Sequence, residues 1–181
     1  MQSSAEKVRD KRDILNFLDC RLARPSEDYL LGNLLIRAFV DTYARKLPKA
    51  VTNQERKEEL MNVGQRRKDG LVYLLELGYK IVGTFSLIHP EAATSQSWMP
   101  RSANLRCLAV DPDYHGYGFS ERPLEKAIQI ARGWKCESVA LHVQEGADGV
   151  ARLYERYGFE RCPQGDQETY GSRILAYLLR L

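Results

Sequence analysis

The sequence predicts a single α/β domain of the α+β kind, and three observations carry that reading. A chain of 181 residues with 44% hydrophobic and 28% charged positions can bury one core but not two of ordinary size. Short β-rich runs alternate with stripes of helical period along its length. In the second half a strand runs through a glycine-bearing loop directly into a helix, an order typical of ligand-binding α/β units. The domain is expected to span 1–181, with 1–17 as an N-terminal extension.

Each element has a local cause. The charged run ending at Asp13 passes into Ile14, Leu15, Phe17 and Leu18, a short amphipathic helix or a fraying terminus before a first strand, Asp19 to Ala23. Pro25 halts that strand, and Ser26 offers an N-cap, with Glu27 and Asp28 favourable to the helix dipole. Leu30, Leu31, Leu34, Leu35, Ala38 and Phe39 then recur with the spacing of one buried helical face. Pro48 breaks the chain, and Thr52 with Glu55 forms a capping-box pattern opening a second helix that ends between Gly64 and Gly70. Leu71 to Glu76 and Tyr79 to Ile88 read as a hairpin about Leu77-Gly78. A long loop, His89 to Ala103, precedes the strand Leu105 to Val110. Leu124, Ala127, Ile128 and Ala131 mark the next helix, Ser138 to Val143 a strand, and Asp148 the cap of a helix that Gly158 stops. Two final strands, Phe159 to Cys162 and Tyr170 to Leu181, flank a polar loop.

Composition narrows the function classes. Lys+Arg number 27 against 24 Asp+Glu, so the formal charge of +3 is too small for a nucleic-acid footprint. No apolar run approaches a membrane span and the N-terminus has no apolar leader segment, which makes a cytoplasmic protein the expectation. Cys20, Cys107, Cys136 and Cys162 are scattered and form no C-x-x-C pair; they read as reduced, mostly buried thiols, Cys107 as core filling, with no metal site.

The loop Val110-Asp111-Pro112-Asp113-Tyr114-His115-Gly116-Tyr117-Gly118-Phe119-Ser120 joins a strand end to a helix start. Backbone N–H groups lack partners at such a helix start and the dipole there is positive, so the place suits an anion such as phosphate. Glycine keeps side chains away from a ligand and tolerates positive φ. The same pattern also serves as plain turn chemistry. A P-loop is excluded by the missing Gly-Lys-Ser/Thr, and a dinucleotide fingerprint by the missing third glycine.

With Leu108-Ala109-Val110-Asp111-Pro112, the His115-to-Ser120 loop, and Ala151, Tyr154 and Gly158-Phe159 downstream, the chain resembles the GNAT superfamily of acyl-CoA-dependent N-acyltransferases. The resemblance covers most of the chain in element order. It implies a mixed, mostly antiparallel twisted sheet of about six to seven strands, with helices on both faces and splayed central parallel strands. It implies acetyl-CoA as acyl donor, without metal, and transfer of an acetyl or short acyl group by direct attack of an amine on a small molecule or peptide, in a possible homodimer. The cofactor-binding positions it implies are Leu108, Ala109, Val110, His115, Gly116, Tyr117, Gly118, Phe119, Ser120, Glu121, Asp148 and Tyr154. Tyr154 stands at the position that protonates the departing thiolate, although a tyrosine on an apolar helical face also fits a core role with its hydroxyl to water. Departures from the family pattern are His115 for Arg or Gln, Ser120 for Gly or Ala, and Glu121 for Ser or Thr. These keep open a second reading, a non-catalytic CoA-binding sensor or interaction module.

Acyl transfer needs a deprotonated amine, a polarised carbonyl and an acid. Where many family members place a Glu on the fourth strand, this chain has Asn104 and Arg106; His142 and Glu145 are substitutes by position, and His89 lies at a loop rim. The acceptor is expected between the connection 41–51 and the loop 163–169. There Asp166 and Glu168, beside Glu160, would attract a cationic amine or simply face solvent. Trp98 is a packing residue or a cover for that acceptor pocket.

Overall fold

Eight strands form one sheet in the computed structural model, which describes residues 14–46 and 53–181. They are β1 (Leu18–Leu22), β2 (Gly70–Leu77), β3 (Lys80–Ile88), β4 (Ser102–Val110), β5 (Ser138–Gln144), β6 (Glu160–Arg161), β7 (Gln167–Thr169) and β8 (Ser172–Arg180). Their spatial order is β1-β2-β3-β4-β5-β8-β6, with β7 paired to β8. Every pairing is antiparallel except β4 with β5. The sheet has one or two strands more than expected, because the polar loop 163–169 itself supplies a strand: after a 3₁₀ turn, Pro163–Gly165, β7 pairs with β8.

The helices are α1 (Asp28–Leu35), α2 (Thr42–Lys46), α3 (Gln54–Met61), α4 (Val63–Asp69), α5 (Glu121–Gly133) and α6 (Asp148–Arg156). Period-2 alternation in the strands feeds a core on each face of the sheet. On one face Leu31 of α1 and Val63 of α4 pack with Val72 and Leu74 of β2. On the other, Phe85 and Leu87 of β3 and Ala103 and Leu105 of β4 meet Leu124, Ala127 and Ala131 of α5. The predicted apolar stripe of α5 is this buried face; Ile128 lies at its margin. Leu124 is fully buried there, so Leu124→Ala is expected to lower unfolding free energy by about 2–5 kcal/mol, measured by chemical denaturation.

Several local expectations shift. Ile14–Asn16 is helical and leads into β1. A 3₁₀ turn, Pro25–Glu27, intervenes before α1, so Ser26 is not its N-cap; instead the Glu27 carboxylate accepts from the Arg24 backbone N–H at 2.6 Å. Thr52 lies outside the described residues. The helix after it, α3, starts at Gln54, with the Asn53 side chain accepting from Arg56 N, and Asn62 separates it from α4. Asp148 is the first residue of α6 rather than its cap. Gly158, at φ +84°, stops the chain after α6 in the left-handed conformation as expected. Leu30, placed on the buried stripe, is 56% exposed. The cysteines are free, but only Cys136 is buried. No helix among the described residues is long and apolar enough to cross a membrane.

Candidate active site

Where β4 and β5 part company, the sheet opens. The two strands pair only at Ser102 with Ser138, Ala103 with Val139 and Asn104 with Ala140. Asn104, which stands on the strand where many family members place a Glu, clamps this fork: its Nδ2 donates to Ala140 O and its Oδ1 accepts from Gln96 N. Beyond it, Arg106, Cys107 and Leu108 are the only residues of β4 not fully buried. The β3–β4 register slips there, so that Phe85 faces two residues, and Cys107 takes φ +52°. That is a β-bulge, which interrupts the ladder and turns the strand. Cys107 is therefore not core filling; the bulge turns it to the wall of a cavity.

Two cavities meet at this fork. The larger, about 430 Å³, is bounded by Leu108, Ala109 and Val110 of β4, by His115 and Ser120 of the glycine loop, and by the start of α6 from Gly146 to Val150. The smaller, about 160 Å³, lies between β4, β5 and the segment around Thr169 and Tyr170. Phe39, Tyr43, Leu108, Val150 and Tyr154 line both. Tyr154 is buried, and that burial, followed by the neighbouring Tyr43 and Cys107, pushes its hydroxyl well above the ordinary tyrosine pKa. A phenol in that state keeps its proton at neutral pH and can donate it.

Of the expected cofactor positions, Leu108, Ala109, Val110, His115, Ser120, Asp148 and Tyr154 border the larger cavity, while Gly116, Tyr117, Gly118, Phe119 and Glu121 do not. Phe119 points into the core with Leu18, Leu75, Val82 and Val110 and is 1% exposed. Glu121 is exposed to solvent in the first turn of α5, so neither residue fills the groove. Gly116 and Gly118 hold φ +84° and +81°. The His115 ring bonds the Val110 carbonyl through Nε2 at 3.0 Å, tying the loop to the end of β4. Arg37 also ties it, with Nη1 to Asp111 at 2.9 Å and Nη2 to Asp113 at 3.1 Å.

His142 of β5 lines the smaller cavity. Its Nε2 lies 2.8 Å from Gly165 O; a carbonyl only accepts, so Nε2 carries the proton and Nδ1 keeps the lone pair. Desolvation holds its pKa below the usual imidazole value, with the Gly165 bond opposing in part. Trp98 does not line the cavity; it packs edge-on against His142 at 5.3 Å, and a methyl on Gly165 would meet its ring at 2.2 Å. Glu145 is exposed and pairs with Arg173, and His89 packs against Trp134, so neither reaches the cavity.

The acidic loop does not present the charge expected of it. Asp166 accepts from Arg161 at 2.6 Å, Arg173 at 3.2 Å and Ala176 N at 3.0 Å, which holds its pKa at about 2. Glu168 and Glu160 are exposed. Of the connection 41–51, residues 47–51 lie outside the described part. Because the Asp166 pKa is lowered, its contribution to stability is complete above the ordinary value of 3.8 and disappears as pH falls toward about 2. Asp166→Asn is accordingly expected to lower Tm at pH 6 and to flatten the Tm–pH slope between pH 4 and 2, followed by calorimetry.

Two features have no signal in the sequence that periodicity could find. One is a π-helical segment, Ile36–Asp41, which interrupts the helical stripe and places Phe39 at both cavities. The other is the pair Arg56 and Arg106, from α3 and β4, which share Glu59 at 2.5 and 2.9 Å. Among the described residues no group of three or more His, Cys, Asp and Glu could hold a metal ion.

Comparison with known proteins agrees with this geometry. Residues 31–159, well over half of the chain, match the family described as Acetyltransferase (GNAT) family. The chain is 27% identical over 108 residues to the spermine/spermidine N(1)-acetyltransferase of Bacillus subtilis (strain 168). That alignment takes in 59% of this chain and 66% of the relative, just under two thirds of its length. Among solved structures, a GNAT-family acetyltransferase from Staphylococcus aureus Mu50 superposes with a TM-score of 0.69 at 16% identity, covering 91% of this chain and 99% of that one. A GNAT-family acetyltransferase from Elizabethkingia anophelis, solved with acetyl-CoA bound, gives 0.61 at 15% identity, covering 92% and 99%. At those identities the structural likeness concerns the fold.

Proposed function

From the premise that this chain belongs to the acetyltransferase (GNAT) family, we propose that it transfers an acetyl or other short acyl group from acyl-CoA to an amine by direct attack. One observation carries the reading: the β4–β5 fork opens a groove along Leu108–Val110 that meets a second cavity at Tyr154. A donor in one cavity and an acceptor in the other can thus both approach Tyr154.

The larger cavity fits the donor. Its wall is an interrupted strand edge, which can take an extended amide-bearing arm by main-chain pairing. The start of α5, a helix of 13 residues, offers amides and the positive dipole end to a diphosphate, with His115 and Ser120 alongside. Gly116 and Gly118 shape that cradle, while Tyr117, Phe119 and Glu121 hold its outer and core-facing sides. Asp148, exposed at the rim, places a carboxylate beside the cradle, as Glu121 does on its outer side. The acyl donor supplies an activated thioester. Main-chain N–H groups at the bulge polarise its carbonyl, and Tyr154 donates its proton to the leaving sulfur. His142, neutral and with Nδ1 as acceptor, takes the proton of the attacking amine directly or through water. The whole reaction is housed in one domain.

The test has two parts. Isothermal titration with acetyl-CoA must give saturable heat, and acetyl-CoA must raise Tm as mass action requires. Release of free CoA thiol must then depend on an added amine. Heat without amine-dependent release identifies a CoA-binding sensor or interaction module instead; no heat with any CoA species removes both readings.

A further inference from the structure

The acceptor cavity is basic. Two of its described lining residues, Arg56 and Arg106, are cationic, and none is an aspartate or glutamate. The carboxylate behind them, Glu59, is already shared: Arg56 Nη1 reaches it at 2.5 Å, Arg106 Nη2 at 2.9 Å and Arg66 Nη1 at 3.4 Å. Three guanidiniums share this carboxylate, and the other acidic groups in electrostatic reach, Glu55 near Tyr170 and Asp69 near Arg106, do not line the cavity, which leaves a cationic surplus at its wall. Arg66 is turned inward, donating to the backbone carbonyls of Glu59 and Leu60, so the surplus lies with the pair that faces the cavity. In the flanking loop Asp166 is held by Arg161 and Arg173, and Glu168 is exposed and is not among the residues lining the cavity. His142, the remaining basic group at the wall, stays neutral at pH 7.

The arrangement is also built to recognise a planar anion. The Arg56 guanidinium lies between the rings of Phe39 and Tyr170, at 5.8 and 5.7 Å from their centroids, which holds its orientation. Arg106 is 14% exposed and commits Nη2 to Glu59, leaving other N–H groups of its fork for a ligand. Arg106 precedes Leu108 by two residues on β4, so an anion at its fork lies along the strand from the Tyr154 junction where acyl transfer is placed. At about 160 Å³ the space is small for a ligand pocket.

Resting on the acyltransferase reading above, we propose that the acceptor is a small amine bearing a carboxylate, its carboxylate held by Arg106 and Arg56 and its amine directed to Tyr154. A polyamine, which carries only positive charge, is disfavoured by the same two guanidiniums. The site therefore has a polarity opposite to that suited to the acceptor named for the Bacillus subtilis relative.

Matched probes test this: glycylglycine, glycylglycine amide and spermidine, with release of CoA thiol from acetyl-CoA as the readout. Glycylglycine is expected to exceed its amide at least 10-fold in kcat/KM, with spermidine slowest. Arg106→Gln should raise KM for glycylglycine about 10- to 100-fold, the size of a lost charge-assisted bond, while KM for acetyl-CoA stays unchanged. Arg106→Lys should recover part of that loss. Equal turnover of the dipeptide and its amide overturns the proposal without touching the acyltransferase reading, and this comparison needs no variant to fold. So does a preference for spermidine, or acetyl-CoA binding with no turnover of glycylglycine. Absence of any acetyl-CoA thermal shift is the separate result that removes both.

Discussion

Tyr154→Phe is expected to lower kcat about 100-fold, the lower end of what a positioned general acid contributes. A thiolate is a fairly stable leaving group, since an ordinary thiol ionises near 8.5, so the acid matters less than in expulsion of an alkoxide. The substitution removes one oxygen and keeps the ring. The ring packs edge-to-face on Phe159 at 5.6 Å within the main core, and phenylalanine preserves that contact. Tm and the acetyl-CoA dissociation constant should consequently remain near those of the unsubstituted protein. If the tyrosine were only a core residue, kcat would survive. The pH profile separates the roles further: because burial raises the Tyr154 pKa, the alkaline limb attributable to its ionisation lies above the usual tyrosine range. Below that, activity should fall as His142 protonates, and its lowered pKa keeps that acid limb beneath the ordinary imidazole value of 6.5.

Gly118→Val is expected to weaken acetyl-CoA binding by at least 30-fold while changing Tm by only a few degrees. Gly118 holds φ +81°, and a Cβ built there would have nothing within 4 Å. Sterics with the rest of the protein therefore do not decide the outcome; backbone conformation does. A β-branched residue at positive φ is strained by about 1–2 kcal/mol, and the loop relieves that strain by leaving the left-handed region. Doing so turns the amides leading into α5 away from their present direction, and the diphosphate loses the donors proposed for it. Titration calorimetry on the folded variant measures the loss. Unaltered affinity would show that the glycine loop is turn chemistry only.

The elements that local chemistry controls were the ones legible in the sequence. The α5 stripe, the β2–β3 hairpin about Gly78, the glycine loop and the Gly158 stop each depend on residues within one or two turns of one another. Where neighbours further along the chain compete, local reading failed. Ser26 lost its capping role to a 3₁₀ turn fixed by Glu27, whose carboxylate is engaged by Arg21 and the Arg24 amide. Glu145, a base substitute by position, turns away from the cavity because Arg173 of β8 pairs with it. The Phe119 side chain turns into the core because Leu18, Leu75 and Val82 form a pocket for it, which leaves only its main chain for the cofactor role that the resemblance implies.

By itself the sequence determined the α/β class and the strand–loop–helix unit, since periodicity, glycine and helix caps act over a few residues, while Tyr154 was singled out by the family resemblance. Only the tertiary structure decided the charge lining the cavity proposed for the acceptor. Asp166 looked available until Arg161 and Arg173 were folded onto it, and Arg106 meets Glu59 across 47 positions of chain. Charge is carried by single residues, but the potential at a site is a sum over whatever the fold brings within a few ångströms, and that sum cannot be written before the strands and helices are in place.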